Sequence, residues 1–207
     1  MLNLKNIIFD LGAVLINIDY KKTEKAFKKL GYNNFDKMFS QFTANDIFQK
    51  LETGYITEND FYKEMIALNQ NTVSAAQIKN AWNEILLDWR IESLNFLETL
   101  PTKYNLYLLS NTNIIHQKAF YKSLKVQTGR LSLQSLFLKE YYSHKIHLRK
   151  PNVNIFKFVV KDAKININET LFIDDSSNNI DAAKLLGFKT HLLLPNERIE
   201  NLKYENF

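Results

Sequence analysis

The spacing of apolar positions changes period several times along the chain. Ile7-Ile8-Phe9 is a continuous apolar run that stops on Asp10, with Gly12 two residues on. That pattern predicts a buried strand ending in a sharp turn. From Asp19 to Leu30 the period is helical, and Gly31 ends it. Over the next sixty or so residues no strand pattern is visible. Thr43 is placed to cap a helix carrying Ile47, Phe48 and Leu51, which stops near Gly54. Thr57 opens another, with Asp60 at the capping-box position and Phe61, Met65 and Leu68 on one face. Ser74 and Gln77 make a second capping box ahead of Ile78, Trp82, Ile85 and Leu86. Residues 17–88 therefore read as a helical insertion.

Strands and helices then alternate. Ile91 to Leu100 predicts a helix stopped at Pro101, and Asn105 to Leu109 a strand. The polar turn Ser110-Asn111-Thr112-Asn113 leads into a helix from Ile114 to about Leu124. Residues 125–140 carry no clear period, and Tyr141-Tyr142-Ser143 predicts a short strand. Pro151 suits the first turn of a helix that buries Ile155, Phe156 and Val159. Leu171-Phe172-Ile173 is a strand ending on Asp174-Asp175. A helix from Asn178 to Leu186 closes at Gly187, and His191 to Leu194 supplies the last strand. This alternation predicts an α/β fold with a Rossmann-like parallel sheet and helices on both faces. Its core is 1–16 plus 89–207.

Composition narrows the function classes. At 207 residues with 45% apolar positions the chain can bury a substantial core. The absence of cysteine excludes disulfides, thiolate zinc sites and Cys nucleophiles, and fits a reducing compartment. No run of about eighteen apolar residues suggests a membrane span, and the first apolar run is broken by Asp10 with no export-type cleavage site after it. The expected location is the cytoplasm. The net charge of +5 comes mostly from scattered lysine, with four arginines and 24 asparagines. That reads as a solvated surface rather than a nucleic-acid face, though it favours anionic substrates. His116, His144, His147 and His191 lack metal-ligand spacing and read as surface or core residues. Trp82 and Trp89 read as helix packing.

Asp10, Ser110 and Asp174-Asp175 each follow an apolar strand, and Lys150 precedes a helix in the same half of the chain. In a parallel sheet such positions converge on one edge. Carboxylates without His or Cys make a hard-oxygen site suited to Mg²⁺. A hydroxyl, adjacent backbone N–H groups and a lysine suit phosphate oxygens, and an ionised aspartate facing a phosphoryl group is a candidate nucleophile. Singly, each residue also fits a local role: Asp10 a turn former, Ser110 a helix cap, Lys150 a solvated residue, Asp174-Asp175 a helix start.

These stretches resemble the haloacid dehalogenase-like hydrolase superfamily, in order and in strand context, over nearly the whole chain. Phe9-Asp10-Leu11-Gly12-Ala13-Val14 resembles its first motif, with Asp10 as nucleophile. Leu109-Ser110-Asn111-Thr112-Asn113 resembles the second, which binds phosphate, and Arg149-Lys150-Pro151 the third. Phe172-Ile173-Asp174-Asp175-Ser176 resembles the fourth, which binds Mg²⁺. The insertion at 17–88 matches the helical-bundle cap of one subgroup, and Glu52-Thr53-Gly54-Tyr55-Ile56 resembles a cap segment of bacterial sugar-phosphate phosphatases of the glucose-1-phosphatase type.

The resemblance implies a Mg²⁺-dependent hydrolase of small phosphomonoesters acting through an aspartyl-phosphate. Asp10 and Lys150 would be catalytic, and Ser110, Asn111 and Lys150 would bind the phosphoryl group. Asp10, the Gly12 carbonyl, Asp174 and Asp175 would hold the metal. The partner would be a small phosphorylated metabolite, not nucleic acid or membrane. Two departures stand out. Gly12 replaces the second Asp that serves as general acid and base in typical phosphatases, so turnover should depend on leaving-group acidity, with Asp19 or Glu52 as substitute acids. His147 stands where the likeness has glycine. Two alternatives remain at this stage: a metal-independent dehalogenase, whose relatives also lack that second Asp, and a catalytically weak phosphate-binding regulatory module.

Overall fold

The computed structural model describes residues 4–41, 43–70 and 72–207; residues 1–3 of the expected core segment lie outside them. In chain order the strands are β1 (Asn6–Phe9), β2 (Ile16–Ile18), β3 (Leu86–Trp89), β4 (Asn105–Ser110), β5 (Lys139–Tyr142), β6 (Thr170–Asp174) and β7 (Lys189–Leu192). The helices are α1 (Tyr20–Lys29), α2 (Phe35–Met38), α3 (Asp46–Glu52), α4 (Glu58–Leu68) and α5 (Ala75–Asn83), all between β2 and β3. After β3 come α6 (Ile91–Leu97), α7 (Ile114–Thr128), α8 (Ser143–Ile146), α9 (Val153–Ala163) and α10 (Ser177–Leu185).

Five strands form a parallel sheet in the order β5-β4-β1-β6-β7. Side chains alternate across it, so Ile7 and Phe9 of β1 face one layer and Ile8 the other. The first layer gathers Leu106, Leu108, Leu171 and Ile173 with Leu94 and Leu97 of α6 and Phe120 and Leu124 of α7. The second gathers Tyr107, Leu109 and Phe172 with Ile155, Phe156 and Val159 of α9 and Ile180 and Ala183 of α10. Burial on both faces explains why these strands read as continuous apolar runs.

The inserted helices bury a cluster of their own, rich in aromatic rings. Trp82 lies at its centre, with ring centroids 4.6 Å from Phe39, 4.9 Å from Phe48 and 6.3 Å from Phe27. Ile115 of α7 joins this cluster from the sheet side. His116, next along α7, stacks on Trp82 at 4.4 Å and donates through Nε2 to the Trp82 carbonyl at 3.1 Å. Burial lowers its pKa to about 4, so it stays neutral in this joint.

Several expectations need correction. The insertion is flanked by a two-stranded antiparallel ribbon, β2 with β3, which pairs Ile16 with Trp89 and Ile18 with Leu86. Leu86 and Trp89 are therefore strand residues, and Trp89 packs its ring against Phe120 rather than within a helix. The α3 cap is Asn45, whose side chain accepts from the Phe48 N–H, and not Thr43. Leu68 is exposed. The helix ahead of Pro101 ends at Leu97 and gives way to a short 3-10 turn. α7 continues four residues past Leu124, until left-handed Gly129 ends it; its apolar period lapses before that end, so the pattern did not show it. Pro151 precedes the α9 cap, Asn152. The last strand starts two residues earlier than expected, at Lys189. The two capping boxes form as read, at Thr57 and Ser74.

Candidate active site

β1 lies between β4 and β6, where chain progress across the sheet reverses, and ligands of open α/β sheets gather outside the carboxyl ends at such a point. Phe9 is level with Leu108 and Ile173, so Asp10, Leu109 and Asp174 come to the same height. The Asp10 N–H still donates to the Ile173 carbonyl at 2.9 Å, which holds its carboxylate at the sheet edge. Beyond it the chain doubles back through Ala13, whose φ of 53° is left-handed, to start β2. Gly12 occupies a position whose Cβ would come within 3.1 Å of Ile18 Cδ1. The absence of a side chain there leaves room for β2.

Lys150 is the hub. Its Nζ donates to Asp10 Oδ1 at 2.7 Å, Asp174 Oδ2 at 2.6 Å and the Leu109 carbonyl at 2.8 Å. All three bonds are buried, and the lysine itself is 1% exposed. Its backbone is clamped as well: its N–H donates to Asn111 Oδ1, and Asn111 Nδ2 donates to its carbonyl, both at 2.9 Å. Asp174 accepts further bonds from the Ser176 N–H at 2.8 Å and from Asn179 Nδ2 at 3.0 Å. Asp175 accepts a side-chain bond from Gln41 Nε2 at 3.1 Å.

Single carboxylate oxygens of Asp10, Asp174 and Asp175 lie within 4.8 Å of one another. Burial, opposed by Lys150 and reinforced by the two neighbouring acids, pushes the Asp10 carboxyl up to about 7. Burial and the Asp174 charge push Asp175 up to about 6. Against the pull of burial, Asp10 and Asp174 hold the Lys150 ammonium above its ordinary value. One cation among three crowded carboxylates leaves negative charge in excess. An all-oxygen donor set that includes Asp175, held by Gln41 and not by an ion pair among the described residues, fits a hard divalent cation.

These groups line a cavity of about 160 Å³. Asp10, Gly12, Asn111, Lys150 and Asp175 form one side of it. Tyr20, Phe39, Gln41 and Glu52 of the insertion form the other. Ser110 is placed differently: it is buried on β4, its Oγ is 3.5 Å from the Asn111 carbonyl, and the cavity wall passes to Asn111 instead. Asp19 caps α1 by accepting from the Lys21 N–H and is not on the wall. Glu52 is on it, ion-paired with Arg149 at 2.9 Å.

The sequence model of haloacid dehalogenase-like hydrolases matches residues 4–187. The chain belongs to that family. This hydrolase is 34% identical over 187 residues to a D-ribitol-5-phosphate phosphatase of Bacteroides thetaiotaomicron, covering 90% of each chain. A haloacid dehalogenase family enzyme from the same organism, solved with magnesium and inorganic phosphate, superposes with a TM-score of 0.85. It shares 38% identity, over 95% of this chain and 98% of that one. A hydrolase of this type from Porphyromonas gingivalis gives 0.85 at 31% identity, over 94% and 93%.

Asn179 and Gln41 of the hydrolase's site escaped the sequence reading, and Arg149 entered it only as part of the third motif. Asn179 faces Asp174 because it sits in the first turn of α10, five residues on; that spacing was the available signal. Gln41 and Arg149 act on partners far away in the chain, Asp175 and Glu52, and nothing local marks those contacts. His147 has a φ of 56°, the left-handed geometry that explains why glycine suits that position.

Proposed function

We propose that the protein is a Mg²⁺-dependent phosphatase that hydrolyses small sugar or polyol phosphates through an aspartyl-phosphate on Asp10. The observation that carries this is the Lys150 ammonium spanning Asp10 and Asp174 at the floor of a polar cavity, with Asp175 in no ion pair among the described residues. Asp10, the Gly12 carbonyl, Asp174 and Asp175 would hold the metal, which when bound offsets the repulsion between carboxylates and phosphoryl oxygens.

The residues' own chemistry follows from their placement. One oxygen of Asp10 is held by Lys150, which aims the carboxylate, and its other oxygen attacks phosphorus. The ester P–O bond breaks and the leaving oxygen keeps the electron pair. The nearby Lys150 charge and the backbone N–H groups that follow β4 stabilise the phosphoryl charge, as preorganised groups do in phosphoryl transfer. Water then cleaves the acyl phosphate and restores Asp10. With Gly12 in place of an acid, the departing alkoxide takes its proton from solvent or from the substrate. The three clustered carboxylates favour this reading over a metal-free dehalogenase.

The insertion, 17–88, serves as the cap that closes the cavity and excludes water. The substrate is a small phosphorylated metabolite, and the compartment is the cytoplasm. D-Ribitol 5-phosphate is a first candidate because a relative is named for it. The test is phosphate release from D-ribitol 5-phosphate, glucose 1-phosphate, glycerol phosphate and an aryl phosphate, each with Mg²⁺ and with chelator. Release that requires Mg²⁺ is expected, and turnover that persists in chelator would overturn the reading.

A further inference from the structure

The turn after α3 is pinned to the sheet domain at several points. The Gly54 position, with φ of 68°, is so close to the His144 carbonyl that any Cβ would collide with it. His147 Nδ1 donates to the Thr53 carbonyl at 2.8 Å, and the Tyr55 ring stacks on His147 with centroids 5.3 Å apart. Glu52 is the last residue of α3, immediately before this junction, so its carboxylate is delivered to a fixed place on the cavity wall.

At that place it and Arg149 retain bonding capacity beyond their ion pair. Glu52 is 6% exposed. Its Oε2 is ion-paired with Arg149 Nη2 at 2.9 Å, and beyond that contact buried Oε2 and Arg149 Nε have no hydrogen-bond partner among the described residues. Buried polar groups left unpaired are costly, which makes such a pair a place where a ligand completes the bonding. The acceptors are carboxylate oxygens and the donor is a guanidinium N–H. Together they match an alcohol, which donates to one and accepts from the other. The wall around them is polar too, with Gln41 and Tyr20 beside Glu52.

We infer that the Glu52–Arg149 pair reads the hydroxyls of the leaving group, and that this selects polyhydroxylated phosphate esters over apolar ones. The inference rests on the phosphatase reading above. A site built to bond hydroxyls discriminates strongly against analogues that lack them, because its polar groups are then left buried and unpaired.

The test uses the full-length protein with Mg²⁺ and three esters: D-ribitol 5-phosphate, n-pentyl phosphate and an aryl phosphate. The first two share chain length and a primary leaving oxygen and differ in hydroxyls. In Glu52→Gln, kcat/KM for the ribitol ester is expected to fall at least tenfold relative to n-pentyl phosphate. An equal fall for both alkyl esters with the aryl ester spared would assign Glu52 to proton donation and overturn the inference. An equal fall for all three would mean that Glu52 only supports the fold around Lys150, with the same consequence. Arg149→Lys, which keeps the charge, should reproduce the direction of the Glu52→Gln pattern. Were the wild type to release no phosphate from any of the three, the phosphatase reading itself would fall, a result distinct from the others.

Discussion

The two walls of the cavity are built on different terms. On the sheet side nearly every polar atom is committed: Lys150 makes three buried bonds, and Asp174 takes bonds from Lys150, Ser176 and Asn179. On the side of the inserted helices Glu52 has one ion-pair partner, Arg149, and Gln41 is tied across the gap to Asp175. The supports differ as well. The first wall hangs from the ends of strands whose backbones are laddered to their neighbours. The second is carried by helices held together by an aromatic cluster around Trp82. A wall of fixed, oriented charge suits chemistry common to every phosphate ester, because preorganised groups need no reorganisation as charge develops. A wall with spare bonding capacity suits the part of the substrate that varies.

The division breaks most sharply at Asp10. Asp10→Asn keeps size and removes the nucleophilic anion, so phosphate release should fall by about a thousandfold or more on every ester, with the fold intact by circular dichroism. A fall confined to one class of ester would dissolve the distinction between the walls.

Lys150→Met comes next. It leaves Asp10 and Asp174 buried without their cation, and removing one partner of a buried pair costs about 3–5 kcal/mol. Chemical denaturation in Mg²⁺-free buffer should show a loss of that order. An unchanged midpoint would mean that the hub does not hold the site together.

How much of this was legible beforehand follows the same split. The sheet side could be read because each of its residues follows an apolar run, and the period of a buried strand is visible in the chain itself. Asp10, Asp174 and Asp175 converge as that reasoning requires, and Lys150 joins them. Ser110 does not reach the cavity wall, because β4 runs one residue longer than expected and turns its Oγ toward the Asn111 carbonyl. The inserted helices were legible through Asp19, Thr57 and Ser74, whose caps are local chemistry. The β2–β3 ribbon was not, since Ile16-Asn17-Ile18 is too short to show a period and Leu86 continues the α5 spacing. The Glu52–Arg149 pair was out of reach because its meaning lies in a contact between distant segments.

Asp175 offers a smaller but cleaner test. Burial and Asp174 raise its pKa, so its ionised form destabilises the metal-free fold at neutral pH. Asp175→Asn should therefore raise the melting temperature slightly without Mg²⁺ while weakening the rise that Mg²⁺ produces. In the wild type a ligand at a hundred times its Kd stabilises by about 2.7 kcal/mol. Thermal melts with and without Mg²⁺ check both signs, and equal Mg²⁺ shifts in the two proteins would remove Asp175 from the metal site.

The joint between the walls gives the gentlest effect. His116 has a folded pKa of about 4 against 6.5 ordinarily, because burial disfavours its cation. The unfolded chain therefore binds the extra proton first as pH falls. The stabilisation is complete above about 6.5 and is lost toward 4, at about 1.4 kcal/mol per pH unit at most. Denaturation midpoints between pH 7 and 4.5 should slope less in His116→Gln than in the wild type. Parallel slopes would place the acid sensitivity elsewhere.

The central claim is that the sheet-side wall does the chemistry, covalently, through Asp10. A ³²P-labelled substrate mixed with enzyme and Mg²⁺, quenched in acid over one turnover and digested, tests it most directly. The account predicts a transient, hydroxylamine-sensitive label on the peptide containing Asp10, absent in Asp10→Asn. Release of a full equivalent of phosphate with no label on the protein at any quench time would contradict it.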